Sequence, residues 1–306
     1  MPNWAEVLKE IQQNQAVHVA QANAAVDIVR RHYLVQLHKY TNRNVIAYYS
    51  GFLSKPGIYQ ADINDEDKNG FMMAVHKLDR SKGLDLILHT PGGDIAATQS
   101  IVDYLHKKFG NNLRAIIPQI AMSAGTMFAC SCREIIMSDH SNIGPIDPHL
   151  SGIPAFGVIE EFRRACKEVK TDPNKIPIWQ SIIGQYRPTF LSRCENAIKW
   201  SNDFVQNQLE KVMFEGHSDA HSKAKVIVNK LTDYSKNKTH NRHIHYEECH
   251  EMGLTVSRME EDDNLQDLVL TVHHCYMHAL MNTRSYKMIE NHLGVALVKN
   301  EAVSQR

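Results

Sequence analysis

The sequence predicts an α/β fold with parallel strands joined by right-handed helical crossovers, and two observations carry that prediction. Between Asn44 and Met137, short runs rich in β-branched and aromatic residues alternate with helix-length amphipathic stretches. Two consecutive strand-to-helix junctions in that region are built from small residues, Thr90-Pro91-Gly92-Gly93-Asp94 and Ala121-Met122-Ser123-Ala124-Gly125-Thr126.

The elements follow in order. Residues 3 to about 39 have helical spacing, with Trp4, Val7, Leu8 and Ile11 on one side. Such a helix either covers its own domain or packs as an arm on a neighbouring subunit. Val45-Ile46-Ala47-Tyr48-Tyr49 reads as a strand bounded by Gly51. Asn64-Asp65-Glu66-Asp67 offers N-cap chemistry for a helix through Met72, Met73, Val75 and Leu78. Strands are expected at 84–89, 113–120 and 134–137, with helices after Asp94 and from Ser123 to Cys130. Beyond Pro145 the pattern is more helical: 158–169, 190–215, 219–233, the short Tyr246–Met252 ending at Gly253, and 264–284 after a strand at 254–256.

Composition narrows the function. Lys plus Arg equals Asp plus Glu, 34 each, and there is no basic stripe of the kind nucleic-acid binders carry. No window approaches the ~20 apolar residues of a membrane span, and the polar N-terminus is unlike a secretory signal, so a cytoplasmic protein is expected. The six scattered cysteines are expected to be reduced. The histidines at 240, 243, 245 and 250 crowd around Cys249, and His274 and His278 lie one helical turn apart. Neither a CxxC pair nor an HExxH motif accompanies them, so neither metal nor cofactor is expected.

The two small-residue junctions carry the chemistry. Adjacent glycines after a buried strand leave backbone amides free to face one point, although a lone Gly-Gly pair is more often only a tight turn. A serine at a helix start is more often only its N-cap. On neighbouring parallel strands, however, both junctions lie side by side at the carboxyl edge of the sheet, where open α/β sheets bind ligands. A hydroxyl beside unpaired amides is the minimum apparatus for acyl transfer.

LDLILHTPGGD, followed by QIAMSAGTMFACSCREIIMSDHSNIGPIDP, resembles the core of the Clp-protease/crotonase superfamily. More narrowly it is similar to the serine dehydrogenase proteinase family, relatives of signal peptide peptidase A. Together with RNVIAYYSGFL and HIHYEECHEMGLTV, the likeness spans roughly residues 40–260. It implies a βαβ superhelix over 41–260, a helical arm at 1–40 and a helical extension at 261–306. It further implies a serine endopeptidase with Ser123 as nucleophile and oxyanion-hole amides from Gly93 and Ala124, supported by Gly92. The implied partners are a peptide or unfolded protein as substrate and further copies of the chain in a homo-oligomer.

The base is the open question. The lysine used by signal peptide peptidases has no counterpart in Ile153-Pro154-Ala155-Phe156-Gly157, and Lys167 and Lys170 lie on a helix surface. By likeness to the Clp protease, His149 or His240 takes this role. Asp147 is expected to hold the Gly144-Pro145 turn, and Asn241 is a candidate to orient His149. Two other readings stand beside the peptidase: an acyl-CoA enzyme of crotonase type, and a catalytically silent peptide-binding scaffold.

Overall fold

The computed structural model describes residues 4–17, 22–150, 152–233 and 241–302. Two helices, α1 (Trp4–Val17) and α2 (Ala22–Thr41), precede β1 (Asn44–Ser50), α3 (Asp67–Val75), β2 (Leu84–His89) and α4 (Ile95–Phe109). Then come β3 (Leu113–Ile117), β4 (Ile120–Ala121), α5 (Ala124–Cys130), β5 (Glu134–Met137), β6 (Asn142–Ile143), β7 (His149–Leu150) and β8 (Ile153–Pro154). A helical segment follows with α6 (Ala155–Thr171), α7 (Ile176–Ile183), α8 (Phe190–Gln208) and α9 (Ala220–Thr232). The chain closes with α10 (Tyr246–Met252), β9 (Val256–Arg258), α11 (Asp263–Asn282), β10 (Ser285–Asn291) and β11 (Ala296–Asn300).

The main sheet runs β11-β10-β1-β2-β3-β5-β9, with β1, β2, β3, β5 and β9 parallel and β10 and β11 antiparallel additions at one edge. Alternate residues of β1 enter different cores. Ile46 and Tyr48 pack with Phe71, Ile101 and Phe128 on one face, whereas Val45, Ala47 and Tyr49 meet Leu34, Val272 and Tyr276 on the other. Burial on both faces explains why the strands read as continuous apolar runs rather than alternating ones.

A second, smaller layer crosses the carboxyl ends of these strands. Ile63 pairs with Gly93, Thr90 with Ala121, β4 with β6, and Ile143 with Ile244. Each βα unit therefore bends out of the main sheet and pairs once more before its helix starts. That offset places the two small-residue junctions next to each other.

Several expectations are revised. The N-terminal helical region covers its own chain: Val7 and Ile11 are buried in the second core, and Tyr33 donates to Glu10 at 2.8 Å. Strands β10 and β11 were not anticipated after the helix at 264–284. Of the apolar residues in and after α3, Val75 and Leu78 are buried, whereas Met72 and Met73 are exposed. A Cβ on Gly70 would lie 2.6 Å from Ile289 of β10, so α3 presents Gly70, Phe71 and Ala74 inward. Asp67, expected among capping residues, is likewise fully buried. β10 is tied to the helices through Glu290, which accepts from Arg30 at 2.6 Å, Arg31 at 2.8 Å and Tyr276 at 2.9 Å. The six cysteines carry free thiols, and all but Cys166 are buried.

Buried histidines make the fold sensitive to acid. His89 has its Nδ1 3.1 Å from the Ser50 carbonyl and its Nε2 3.0 Å from Gln119, and burial lowers its pKa to about 4. Burial also pushes His273, 3.3 Å from the Tyr49 hydroxyl, well below the usual value. In both, the folded pKa lies beneath the unfolded one. Stability is therefore whole above pH ~6.5 and falls as the unfolded chain, but not the folded one, takes up protons on the way down to about 4. For His89 alone the loss is on the order of 3 kcal/mol. Guanidinium unfolding at pH 7.5, 6.5, 5.5 and 4.5 should record it above the range where carboxylates titrate; a level profile there would contradict this account.

Candidate active site

The glycine turn is shaped by what lies against it. Gly92 and Gly93 have φ of 103° and 153°, a region closed to most side chains. A Cβ on Gly92 would stand 2.7 Å from the Ser123 Cβ and 3.1 Å from the Ala124 nitrogen. On Gly93 it would stand 2.3 Å from the Ile63 nitrogen. The two junctions are tied together by Thr90, which donates to the Ile120 carbonyl and accepts from the Met122 N–H, both at 3.1 Å. Asp94 closes the turn by capping α4, its carboxylate accepting from the Ala97 N–H at 2.8 Å.

Ser123 sits at φ 52°, ψ −115°, immediately before α5. A non-glycine residue in that region is strained, and such strain persists only where the surroundings enforce it. It occupies the N-cap position, yet its side chain makes no capping bond. Among the described residues the Ser123 hydroxyl has no hydrogen-bond partner, which removes the N-cap explanation for this serine. The Gly93 and Ala124 N–H groups likewise donate to no described residue. Gly93 is instead held by bonds on either side: Ile63 N–H to the Gly92 carbonyl at 2.8 Å, and Asp94 N–H to the Ile63 carbonyl at 2.9 Å.

Ser123 and Gly93 line one cleft of about 460 Å³. Its walls include Ile95, Met127, Ile146, Leu150, Ala197 and Trp200, and its polar margin includes Asp62, Asp94 and His149. Neither lysine nor arginine is among the described lining residues. Trp200 spans from α8 to α4, its indole N–H donating to Gln99 at 2.8 Å. The β7–β8 hairpin, with His149 opposite Pro154, carries the imidazole at the mouth.

His149 Nε2 lies 3.3 Å from Asp147 Oδ2, and the Asp147 side chain is only 5% exposed. Thr126 also grips the Gly144 turn, its hydroxyl accepting from the Gly144 N–H and donating to the Gly144 carbonyl, both at 2.9 Å. An imidazole and a buried carboxylate two residues away in sequence thus lie together at the cleft. His240 falls outside the described residues. Asn241 is exposed in the turn before Ile244 and does not line the cleft. Of the crowded histidines, His245 contacts the Ser141 carbonyl and His278 the Trp4 carbonyl, both at 3.2 Å. Cys249 is sealed in the core, where burial raises its thiol well above the usual range. Asp62, Ala197 and Trp200 were missed by sequence reasoning, because each enters the cleft from an element far along the chain and belongs to no motif.

Two archaeal proteins resemble the chain. It is 30% identical over 214 residues to the uncharacterized protein MJ0137 of Methanocaldococcus jannaschii, covering 70% of this chain and 65% of that protein. The uncharacterized protein MJ1495 of the same organism is 31% identical over 195 residues, covering 64% of this chain and 59% of the other. The chain thus matches less than two thirds of the length of either relative. The model of one protein family matches residues 17–292, a stretch that holds both junctions, the cleft and every element from α2 to β10. By that match this chain belongs to the ClpP-like SDH-type serine proteinases.

Proposed function

We propose that the protein is a serine endopeptidase in which Ser123 attacks the substrate carbonyl and the N–H groups of Gly93 and Ala124 receive the resulting oxyanion. The observation that carries this reading is the unpartnered Ser123 hydroxyl, strained at φ 52° and sharing a cleft with Gly93. A hydroxyl held for packing or capping has no need of that backbone geometry. Negative charge developing on the carbonyl oxygen would meet donors that need no reorganisation. The apolar wall of Met127, Ile146, Leu150 and Trp200 favours a peptide presenting an aliphatic or aromatic side chain beside the scissile bond.

His149 is the base the geometry favours, with Asp147 at 3.3 Å to hold its ring. In that role it takes the Ser123 proton as the acyl-enzyme forms and returns it to the leaving amine. Reaction of the protein with a fluorophosphonate, followed by peptide mapping, tests the nucleophile: label on Ser123 is expected, and a protein that stays unlabelled when folded is the scaffold of the rival reading. His149→Ala should slow labelling by about 10²- to 10⁴-fold, the range for loss of a general base. A His149→Ala protein that labels at the wild-type rate would remove His149 from the mechanism and leave Ser123 in it.

A further inference from the structure

Beneath the glycine turn lies a buried ion pair that takes no part in the chemistry proposed above. Lys287, on β10, and Asp67, at the start of α3, are both essentially inaccessible to solvent. The Lys287 ammonium donates to Asp67 Oδ1 at 3.0 Å and Oδ2 at 2.9 Å, and to the Asp62 backbone carbonyl at 2.6 Å. Asp67 Oδ2 also accepts from the Tyr48 hydroxyl at 2.8 Å and from the Asn64 N–H at 3.1 Å. The pair therefore grips the segment 62–64 at both ends.

Between those two anchor points lies Ile63, the residue whose N–H and carbonyl hold Gly92 and Asp94. The connection is short and consists only of hydrogen bonds: ammonium to Asp62, Asn64 to carboxylate, and Ile63 to either side of Gly93. Gly93 lacks a side chain to anchor it, and its φ of 153° leaves its peptide planes free to rotate unless the neighbours restrain them.

Resting on the peptidase reading, we infer that Lys287 is a positioning residue: with Asp67 it holds the 62–64 segment in place, and that segment sets the Gly93 N–H toward the oxyanion. Stability alone is a poor explanation for the pair. Sealing two charges in a protein interior is costly, and apolar side chains of similar volume often serve the fold as well or better. An apolar pair cannot donate to the Asp62 carbonyl and accept from Asn64 at once. The sequence contains no hint of this arrangement, because Asp67 and Lys287 are 220 residues apart.

The test compares the wild type with Lys287→Met, which removes the donor, and Asp67→Asn, which keeps shape and one acceptor oxygen while removing the charge. Three quantities are measured: the number of fluorophosphonate-reactive sites, the labelling rate per reactive site, and inhibition by a peptide boronate whose tetrahedral adduct places an oxygen in the oxyanion hole. Lys287→Met should label about 10- to 100-fold more slowly per site, since small displacements of catalytic groups reach this size. Boronate affinity should weaken by a similar factor, while KM for a peptide moves less than about twofold because ground-state binding makes little use of the hole. Asp67→Asn should show the same pattern to a smaller extent, and it supplies the answer if Lys287→Met does not fold. A merely structural pair predicts fewer reactive sites with an unchanged rate at each, and that result in either folded variant overturns the inference. A wild type that fails to react at Ser123 overturns the peptidase reading and this inference with it; a reactive wild type with unaltered variants overturns this inference alone.

Discussion

Ser123→Ala is expected to lower peptide hydrolysis by at least about 10⁴-fold while leaving the melting temperature within a few degrees of wild type. The first half follows from the proposed role of Ser123, a nucleophile acting as one unit with its base: its removal would abolish the covalent route and leave only what binding and the oxyanion hole provide. A loss of that size corresponds to about 5.5 kcal/mol of transition-state stabilisation. The second half follows from the bonding of the hydroxyl, which has no partner among the described residues and caps nothing, so its removal orphans no donor or acceptor. The strained φ of 52° remains, because alanine inherits it. Hydrolysis of a fluorogenic peptide and thermal unfolding, measured on the same preparation, check both halves. Retained activity would place the nucleophile elsewhere, and a large drop in melting temperature would mean that the hydroxyl is structural after all.

Gly93→Ala is the second substitution with a large expected effect, and here stability and activity should fall together. The added methyl group would lie 2.3 Å from the nitrogen and 2.4 Å from the oxygen of Ile63, both backbone atoms that cannot swing aside as a side chain might. Either the 62–64 segment moves away or the Gly93 peptide rotates, and each displaces the Gly93 N–H. Loss of one oxyanion donor slows catalysis by about 10²- to 10³-fold. Strain at a special backbone position costs of order 1–3 kcal/mol of stability. Gly92→Ala serves as the comparison, since its methyl group would press on the Ser123 Cβ at 2.7 Å and the Ala124 nitrogen at 3.1 Å, and so disturb the proposed nucleophile and the Ala124 amide rather than the Gly93 amide. The kcat of Gly93→Ala on a peptide substrate, corrected for reactive sites, is the decisive number; a value near wild type would show that the Gly93 amide is not a donor to the transition state.

The part of this site that was legible in the sequence is the part made by the backbone. A turn with φ of 103° and 153° needs glycine at Gly92 and Gly93. The run of buried residues in β2 marks the strand that feeds it. The repeat of strand, small-residue turn and helix one βα unit later was enough to place Ser123 beside those glycines. The short helix at Tyr246–Met252 was also legible, because Gly253 ends it in the left-handed region at φ 96°. In the glycine turn and the short helix the deciding interactions lie within a few residues of one another.

What lay beyond the sequence was decided by partners distant along the chain. Which face of α3 is buried was decided by β10 and β11, which pack on Gly70 and leave Met72 and Met73 exposed. Asp67 looked like a capping residue until Lys287 met it in the interior. Asp147 reads in the sequence as a turn residue, and only the structure shows its carboxylate beside the imidazole of His149. By itself the sequence determined the strand–turn–helix units, the glycine turn and the serine that follows it, since steric limits on φ and ψ act between neighbours. Tertiary structure alone decided which walls enclose the cleft and what braces the turn from beneath. Burial, charge pairing and hydrogen bonding depend on which remote side chains come to rest there, and local residue patterns do not encode that.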